Sequence, residues 1–476
     1  MARCYCRWRR VLICLCTPCI FLILLFTYVS IMLCMGMTEV ATPANTFIAT
    51  NPHFVANGLL KNETFAPLPK TFWEDQQQTK ALWNHLQQAV DYHFNPILHP
   101  KKAKRLLRNS SFYDFLLKQS FSEVASFDSV MEDFDKLPEQ LQRFVRYMQR
   151  RDYPILHHPD GGCGAQGKGE QEPTLLLFAI KTTPANFNNR QAIRQTWGQV
   201  GWVAGQKING SGRDNVGGYV RRVFLLGKQN TKELSVDVSE LLKLESNLYG
   251  DILQWDFEDT FFNLTLKDVL FWSWFSRFCR QTRFVFKGDD DVFVNTPKLI
   301  TYLQIQLQTA RVKNNMQEFM IGEVIEAASP NRVNISKYFI PDSFYEGSYP
   351  TYAGGGGVVY SGQVARRLHL MSKRVHLFPI DDVYVGICMI RLSAFPMHHP
   401  AFLMFDFPKD DWKDPCLYHT ILVVHKRSPE QVVQLWAGLK ETQAQCGDVI
   451  SETADLLGFS HTTISGFTEN GLKNMQ

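Results

Sequence analysis

Four short apolar runs, spaced by longer amphipathic segments, constrain this chain more than any other feature. TLLLFAIK (174–181), VRRVFLLG (220–227), DILQWDF (251–257) and FVFKG (284–288) are dominated by aliphatic and aromatic residues. Runs this short and this apolar suit strands buried on both faces, as in a parallel sheet. Between them, NRQAIRQTWG, ELLKLESNLYG and NLTLKDVLFWSWFSRFC carry helical spacing, and Gly250 supplies a helix stop. The alternation predicts an α/β fold with a mostly parallel central sheet and helices on both faces. Residues 202–219, rich in glycine, read as an insertion into that pattern.

The beginning of the chain is organised differently. Arg3, Arg7, Arg9 and Arg10 precede an uncharged, mostly apolar stretch over 11–37. That stretch is long enough to cross about 30 Å of hydrocarbon as a helix. It lacks a clear small-residue cleavage site and exceeds the apolar core of a signal peptide. Read as a signal-anchor, it leaves residues 1–10 as a cytosolic tail and everything after it lumenal. A stem over 38–70, an amphipathic helical region over 71–170, an α/β domain over 171–446 and a polar tail over 447–476 complete the division.

Cysteines and sequons agree with a lumenal placement. Six of the 11 cysteines lie in or beside the apolar stretch, where palmitoylation and simple packing explain them equally well. Cys163, Cys279, Cys388, Cys416 and Cys446 show no CxxC spacing, which argues against a zinc site. In an oxidising lumen they would mostly pair, leaving one over. N-x-S/T matches begin at Asn62, Asn109, Asn209, Asn263 and Asn334, all beyond the apolar stretch. The net charge of +4 is too small for a nucleic-acid binder.

The chemistry concentrates in three segments. FVFKG runs straight into Asp289, Asp290 and Asp291. Ligands of open α/β sheets bind at the carboxyl ends of strands, and carboxylates at i and i+2 of an extended segment point the same way. Asp289 and Asp291 can therefore share one hard divalent cation, which can also bind a diphosphate; the alternative is a solvated acidic turn. FPIDDVYVG (378–386) places Asp381 and Asp382 between apolar flanks. Each could act as a general base with a raised pKa or cap the helix that follows. SYPTYAGGGGVVYSG lacks the Gly-Lys-Ser/Thr ending of a phosphate loop and reads as a sugar-facing loop or a flexible turn. His425 is either structural or a nitrogen ligand, which would favour Mn²⁺ over Ca²⁺. Lys181, Arg190 and Arg194 either neutralise a diphosphate or are solvated.

LFAIKTTPANFNNRQAIRQTWG, RVFLLG, YGDILQWDFEDTFFNLTLK, FVFKGDDDVFVN, YAGGGG, PIDDVYVG and LVVHK, in that order, resemble the β1,3-glycosyltransferases of glycosyltransferase family 31. KGDDDVFVN together with PIDDVY is similar to the β1,3-N-acetylglucosaminyltransferase branch. The upstream ALWNHLQQAVDYHFNPIL is similar to the polylactosamine-extending type. The resemblance covers about residues 72–446. It implies a GT-A fold, a type II Golgi membrane topology, UDP-GlcNAc as donor, Mn²⁺ or Mg²⁺, and an acceptor glycan ending in β-galactose. It also leaves room for oligomers with the same or related glycosyltransferases.

Carried over by position, Asp289 and Asp291 with His425 resemble the metal and diphosphate site, with Asp290 in the donor-binding run but pointing away from the metal. Asp382 resembles the base, Asp381 helps hold the acceptor, and Lys181 matches a lysine near the reaction centre. Arg190 and Arg194 are expected on the donor, and Tyr352, Gly354, Gly355 and Gly356 on the acceptor. Rival readings are a β1,3-galactosyltransferase of the same fold, an inactive lumenal partner of an active relative, and a lumenal Ca²⁺ binder, which would lack EF-hand spacing. Relatives carry two further cysteines where this chain reads SSFYDFLL and YMQRRDYPIL, and an Asp114–Arg150 ion pair is expected in their place.

Overall fold

A computed structural model describes residues 81–95, 131, 133–165, 173–206, 217–229, 237–308, 316–405, 414 and 416–447. The expected membrane span, the stem, the C-terminal tail and Asp114 lie outside these residues. No helix among the described residues is long and apolar enough to cross a membrane. Arg150, the other half of the expected ion pair, stacks its guanidinium on Tyr153 at 4.5 Å.

The four apolar runs form strands close to where they are expected. They are β2 (Leu176–Lys181), β4 (Gly217–Lys228), β5 (Ile252–Glu258) and β6 (Phe284–Asp289). These pair in parallel in the order β5-β4-β2-β6. Every residue of β2 is buried, as a central strand covered on both faces requires. The helices between them are α3 (Phe187–Gln195), α4 (Ser239–Tyr249) and α5 (Leu264–Phe278), and Gly250 ends α4 with a left-handed φ of 59°.

The sheet is more mixed than expected. β9 (Tyr352–Ser361) pairs antiparallel with both β6 and β8 (Met320–Ile325), while β10 (Met397–His398) extends the sheet in parallel beyond β8. At the far edge β1 (Ile155–His157) pairs antiparallel with β5. A second, small sheet joins β11 (Phe402–Leu403), β12 (Val423–Val424) and β7 (Phe293–Val294). Residues 202–219 are not a plain insertion. β3 (Gly201–Ala204) folds back antiparallel on the start of β4, so the described ends of this segment belong to the sheet.

The remaining helices are α1 (Leu82–Phe94), α2 (Glu139–Tyr147), α6 (Thr296–Gln308), α7 (Gly362–Ser372), α8 (Asp381–Arg391) and α9 (Pro429–Thr442). The expected boundary at residue 170 is not a boundary of packing. Leu82, Trp83 and Leu86 of α1 and Leu141, Phe144 and Val145 of α2 share one buried core with β5, α5 and α8. The Trp83 indole donates to Leu377 O at 3.1 Å, and Arg391 of α8 bonds to Asp91 of α1 at 2.6 Å. Cys163 pairs with Cys279 and Cys416 with Cys446; Cys388 is the buried free thiol left over.

A buried ion network ties α3 and α4 to the sheet and settles two arginines. Arg190 is fully buried and donates to Glu245 at 2.7 Å. Arg194 donates to Glu245 at 2.6 Å and to Asp251 at 2.8 Å, and Arg222 donates to Asp251 at 2.7 Å. Arg190 and Arg194, expected on a diphosphate, are instead consumed by carboxylates under the sheet, because a buried guanidinium must be paired. Asp251→Ala leaves Arg222 without a carboxylate and Arg194 with Glu245 alone, and should lower the unfolding free energy by about 3–5 kcal/mol. Asp256 pairs with Lys228 on the surface. Asp256→Ala should therefore cost no more than about 1 kcal/mol. Chemical denaturation of both variants tests this; comparable losses would contradict the assignment.

Candidate functional site

The parallel register itself starts the site. Lys181, the last residue of β2, stands level with Asp289, the last of β6. Its buried ammonium bonds to Asp289 Oδ1 at 2.9 Å and to Asp381 Oδ2 at 2.7 Å. Burial alone would lower the pKa of Lys181, but Asp289 and Asp381 outweigh it and hold the ammonium charged. One cation thus links the acidic run after β6 to the acidic pair that opens α8.

Asp289, Asp291 and His425 converge as expected. One ligand atom from each lies within 4.8 Å of the others. His425 Nε2 is 3.1 Å from Asp291 Oδ1 and 3.7 Å from Asp289 Oδ2. Its other ring nitrogen, Nδ1, faces Met404 O at 3.3 Å. A proton on Nδ1 bonded to that carbonyl leaves the Nε2 lone pair aimed at the carboxylates, the arrangement that orients metal-bound histidines. Burial alone would lower the pKa of His425, but Asp291 and Asp289 reverse it and raise the value. Two carboxylate oxygens and one imidazole form a ligand set that could hold a divalent cation. The backbone beyond His425 turns sharply at Lys426, a non-glycine residue with φ of 61°.

Asp290 points elsewhere. Its carboxylate accepts from the Thr182 hydroxyl and, at 2.9 Å, from the Asn186 amide. Burial pushes its pKa up to about 6 against those bonds.

Asp381 and Asp382 occupy the first turn of α8, and neither caps it: the N-cap is Ile380, with no side-chain bond. Burial alone would raise Asp381, but Lys181 and Lys287 outweigh it and hold its carboxyl low. Asp382 has no ammonium in contact. It accepts from Val383 N at 2.8 Å and Gly355 N at 3.3 Å. Burial first, and the charge of Asp381 second, push its pKa up.

The four glycines are not a loop. They lie in β9, where the register against β8 slips so that Glu323 alone stands opposite residues 354–357. The strand threads between α8 and the segment carrying His425. A Cβ at Gly356 would lie 3.0 Å from the His425 ring and 2.9 Å from Met404 Sδ; one at Gly355 would lie 3.5 Å from Asp382. Glu323 accepts from Met404 N at 2.5 Å and so fixes the chain that fixes His425. Tyr352 begins β9, and both burial and Asp382 raise its hydroxyl pKa.

Several residues of the site escaped the sequence reading: Lys287, Asp268, Glu323 and the Met404 carbonyl. The first two left a trace, a lysine inside a buried strand and an aspartate inside an apolar helix. Backbone contributors leave none. Gly356→Ala should displace the His425 ring and weaken Mn²⁺ binding by about 10-fold, as losses around a metal ligand do. A calorimetric Mn²⁺ titration with unchanged affinity would contradict this.

Known proteins resemble this sequence. The galactosyltransferase family profile matches residues 188–400, which include Asp289, Asp291, Asp381 and Asp382. N-acetyllactosaminide beta-1,3-N-acetylglucosaminyltransferase 2 of Mus musculus is 38% identical over 80% of this chain and 89% of its own length. Its Homo sapiens counterpart is 38% identical over 81% of this chain and 91% of its own. UDP-GlcNAc:betaGal beta-1,3-N-acetylglucosaminyltransferase 9 of Bos taurus is 41% identical over 63% of this chain and 74% of its own.

Proposed function

The chain belongs to the galactosyltransferase family, and from that membership we propose that it transfers N-acetylglucosamine from UDP-GlcNAc to the 3-hydroxyl of a terminal β-galactose on glycoprotein or glycolipid glycans. The observation that carries this reading is the bridge of Lys181 between Asp289 and Asp381. It brings a cation-and-diphosphate pole within one side chain of a carboxylate pair fit for proton transfer. The relatives' names supply donor, linkage and acceptor. The strands and the acidic run fit a GT-A fold.

Asp382 is the base. It takes the proton of the acceptor 3-hydroxyl as that oxygen attacks C1 of the donor sugar from the face opposite UDP. The O3–C1 bond forms, the C1–O bond to the diphosphate breaks, and UDP leaves with the bonding pair. The configuration inverts to β in one displacement, with no covalent enzyme intermediate. Asp289, Asp291 and His425 would hold Mn²⁺ or Mg²⁺, whose Lewis acidity stabilises the leaving diphosphate and replaces the general acid a glycosidase needs. Asp381, fixed by Lys181, orients the acceptor beside Asp382. Tyr352 and the backbone of Gly354, Gly355 and Gly356 flank that acceptor.

The same reading makes the chain a type II Golgi membrane protein with residues 11–37 as its anchor. Two disulfides support an oxidising compartment. Of the sequons, Asn62, Asn109 and Asn209 lie outside the described residues. Asn334 is exposed, whereas Asn263 donates its amide to Glu258 O and Thr265 is buried. Asn334 is therefore the better glycan carrier of the two.

Asp382→Asn should reduce transfer by 10³-fold or more, roughly the full value of a positioned base plus a misplaced proton, while UDP binding persists. Asp381→Asn should retain measurable turnover. Full activity in Asp382→Asn would remove the base assignment, and preference for UDP-Gal in donor competition would remove the donor assignment. Because burial raises Asp382 and only its ionised form accepts a proton, kcat/KM should fall as pH drops through a limb above the usual carboxylate range near about 4. A flat profile down to that range would contradict it.

A further inference from the structure

Two buried charges stand behind the acidic pair, and the chemistry above does not use them. Lys287 on β6 bonds through its ammonium to the Asp268 carboxylate on α5 and lies 3.8 Å from Asp381 Oδ2. Asp268 is fully buried, and its Oδ1 has no hydrogen-bond partner among the described residues. Resting on the reading of Asp382 as base, we infer that Lys287, anchored by Asp268, is a positioning residue. It keeps Asp381 ionised and in place, so that Asp382 is the carboxylate that accepts the acceptor's proton.

Charge balance decides which carboxylate holds the proton. Asp268, Asp289, Asp381 and Asp382 share this space with two ammoniums, Lys181 and Lys287. Lys181 serves Asp289 and Asp381; Lys287 serves Asp268 and Asp381. Among the described residues, Asp382 touches neither lysine and has only backbone N–H donors. A buried carboxylate without a cation binds a proton most readily. Asp381 stays ionised only by drawing on both lysines, since each is shared with another carboxylate. Were Lys287 withdrawn, Asp381 would compete with Asp289 for Lys181 alone and could hold the proton itself.

The groups facing Asp382 come from every neighbouring element. They are Asp381 on its own helix, Lys181 from β2, Lys287 from β6, Tyr352 of β9 and Tyr349 just before it. Burial keeps both tyrosines neutral. The lysines and Asp381 therefore set the field. Removing Lys287 deletes a cation and makes the acidic cluster hold its proton more tightly. Removing the charge of Asp268 releases Lys287 to Asp381 and makes the same field more positive. Bonded partners thus act in opposite directions on the base, which a pair that merely braces the fold would not do.

The test is the pH profile of acceptor kcat/KM at saturating Mn²⁺ and UDP-GlcNAc, on the full chain. Lys287→Met should move the acid limb to higher pH by about one pH unit, the size expected for a cation lost a few ångströms away. Asp268→Asn should move it to lower pH, and Lys287→Arg should restore the wild-type position. UDP binding reports folding in each variant. Limbs that stay put, or move in the same direction in Lys287→Met and Asp268→Asn, overturn the inference. If Lys287→Met fails to bind UDP, Asp268→Asn decides alone: an unmoved or raised limb overturns it. A wild-type limb lost in Asp382→Asn but unmoved by either substitution removes this inference and leaves the base assignment standing. Full activity in Asp382→Asn removes both.

Discussion

The ammonium of Lys181 sits between Asp289 and Asp381, 2.9 Å from one and 2.7 Å from the other. Everything else at the site is arranged around that bridge. A buried ammonium is costly to keep charged without carboxylates in contact, and removing one partner of such a group costs about 3–5 kcal/mol. The strand ends and the start of α8 therefore cannot drift apart without exposing an unpaired charge. The bridge also sets the distance between the pole that handles the diphosphate and the pole that handles the acceptor. In a displacement reaction both must act on one carbon at once, so relative placement matters as much as the chemistry of either group.

Close approach of backbone is the second requirement, and it explains four consecutive glycines. β9 passes between Asp382 on one side and His425 with Met404 on the other. Side chains at Gly355 and Gly356 would stand against those groups. With glycine there, a backbone N–H reaches Asp382 directly. The same run weakens the strand locally, since glycine disfavours sheet interiors. The register slip opposite Glu323 is where that weakness appears. Glu323 then recovers order by holding Met404 N, which carries the restraint through to His425.

The strands and the acidic run were legible from local pattern, whereas the roles of Asp381, Asp382 and His425 came from the family resemblance, since local pattern left each of them open. An apolar run of six residues buries itself whatever surrounds it, and aspartates after such a run are costly without a cation. What escaped is decided by distant partners. Arg190 and Arg194 carry no local sign that Glu245 and Asp251 claim them. The glycines look like a loop because glycine usually is one, and only pairing with β6 and β8 makes them a strand. Residues 202–219 look inserted because a hairpin rich in glycine lacks the alternation that marks a strand. The four central strands are parallel as expected, and the sheet becomes mixed where β9 returns antiparallel between β6 and β8.

Neighbouring aspartates in this molecule do different work, and environment alone separates them. Asp289 and Asp291 face His425 while Asp290, one residue between, turns to Thr182 and Asn186. β6 ends at Asp289 and the chain turns at Asp290 and Asp291, and that turn leaves Asp290 facing away from the other two. At Asp381 and Asp382 the backbone is helical, and the two side chains leave about 100° apart around the axis. One falls on the lysines and stays ionised; the other falls on backbone N–H groups and takes its proton easily. Identical side chains thus become a ligand set and an acid–base pair through which way a turn or a helix points them.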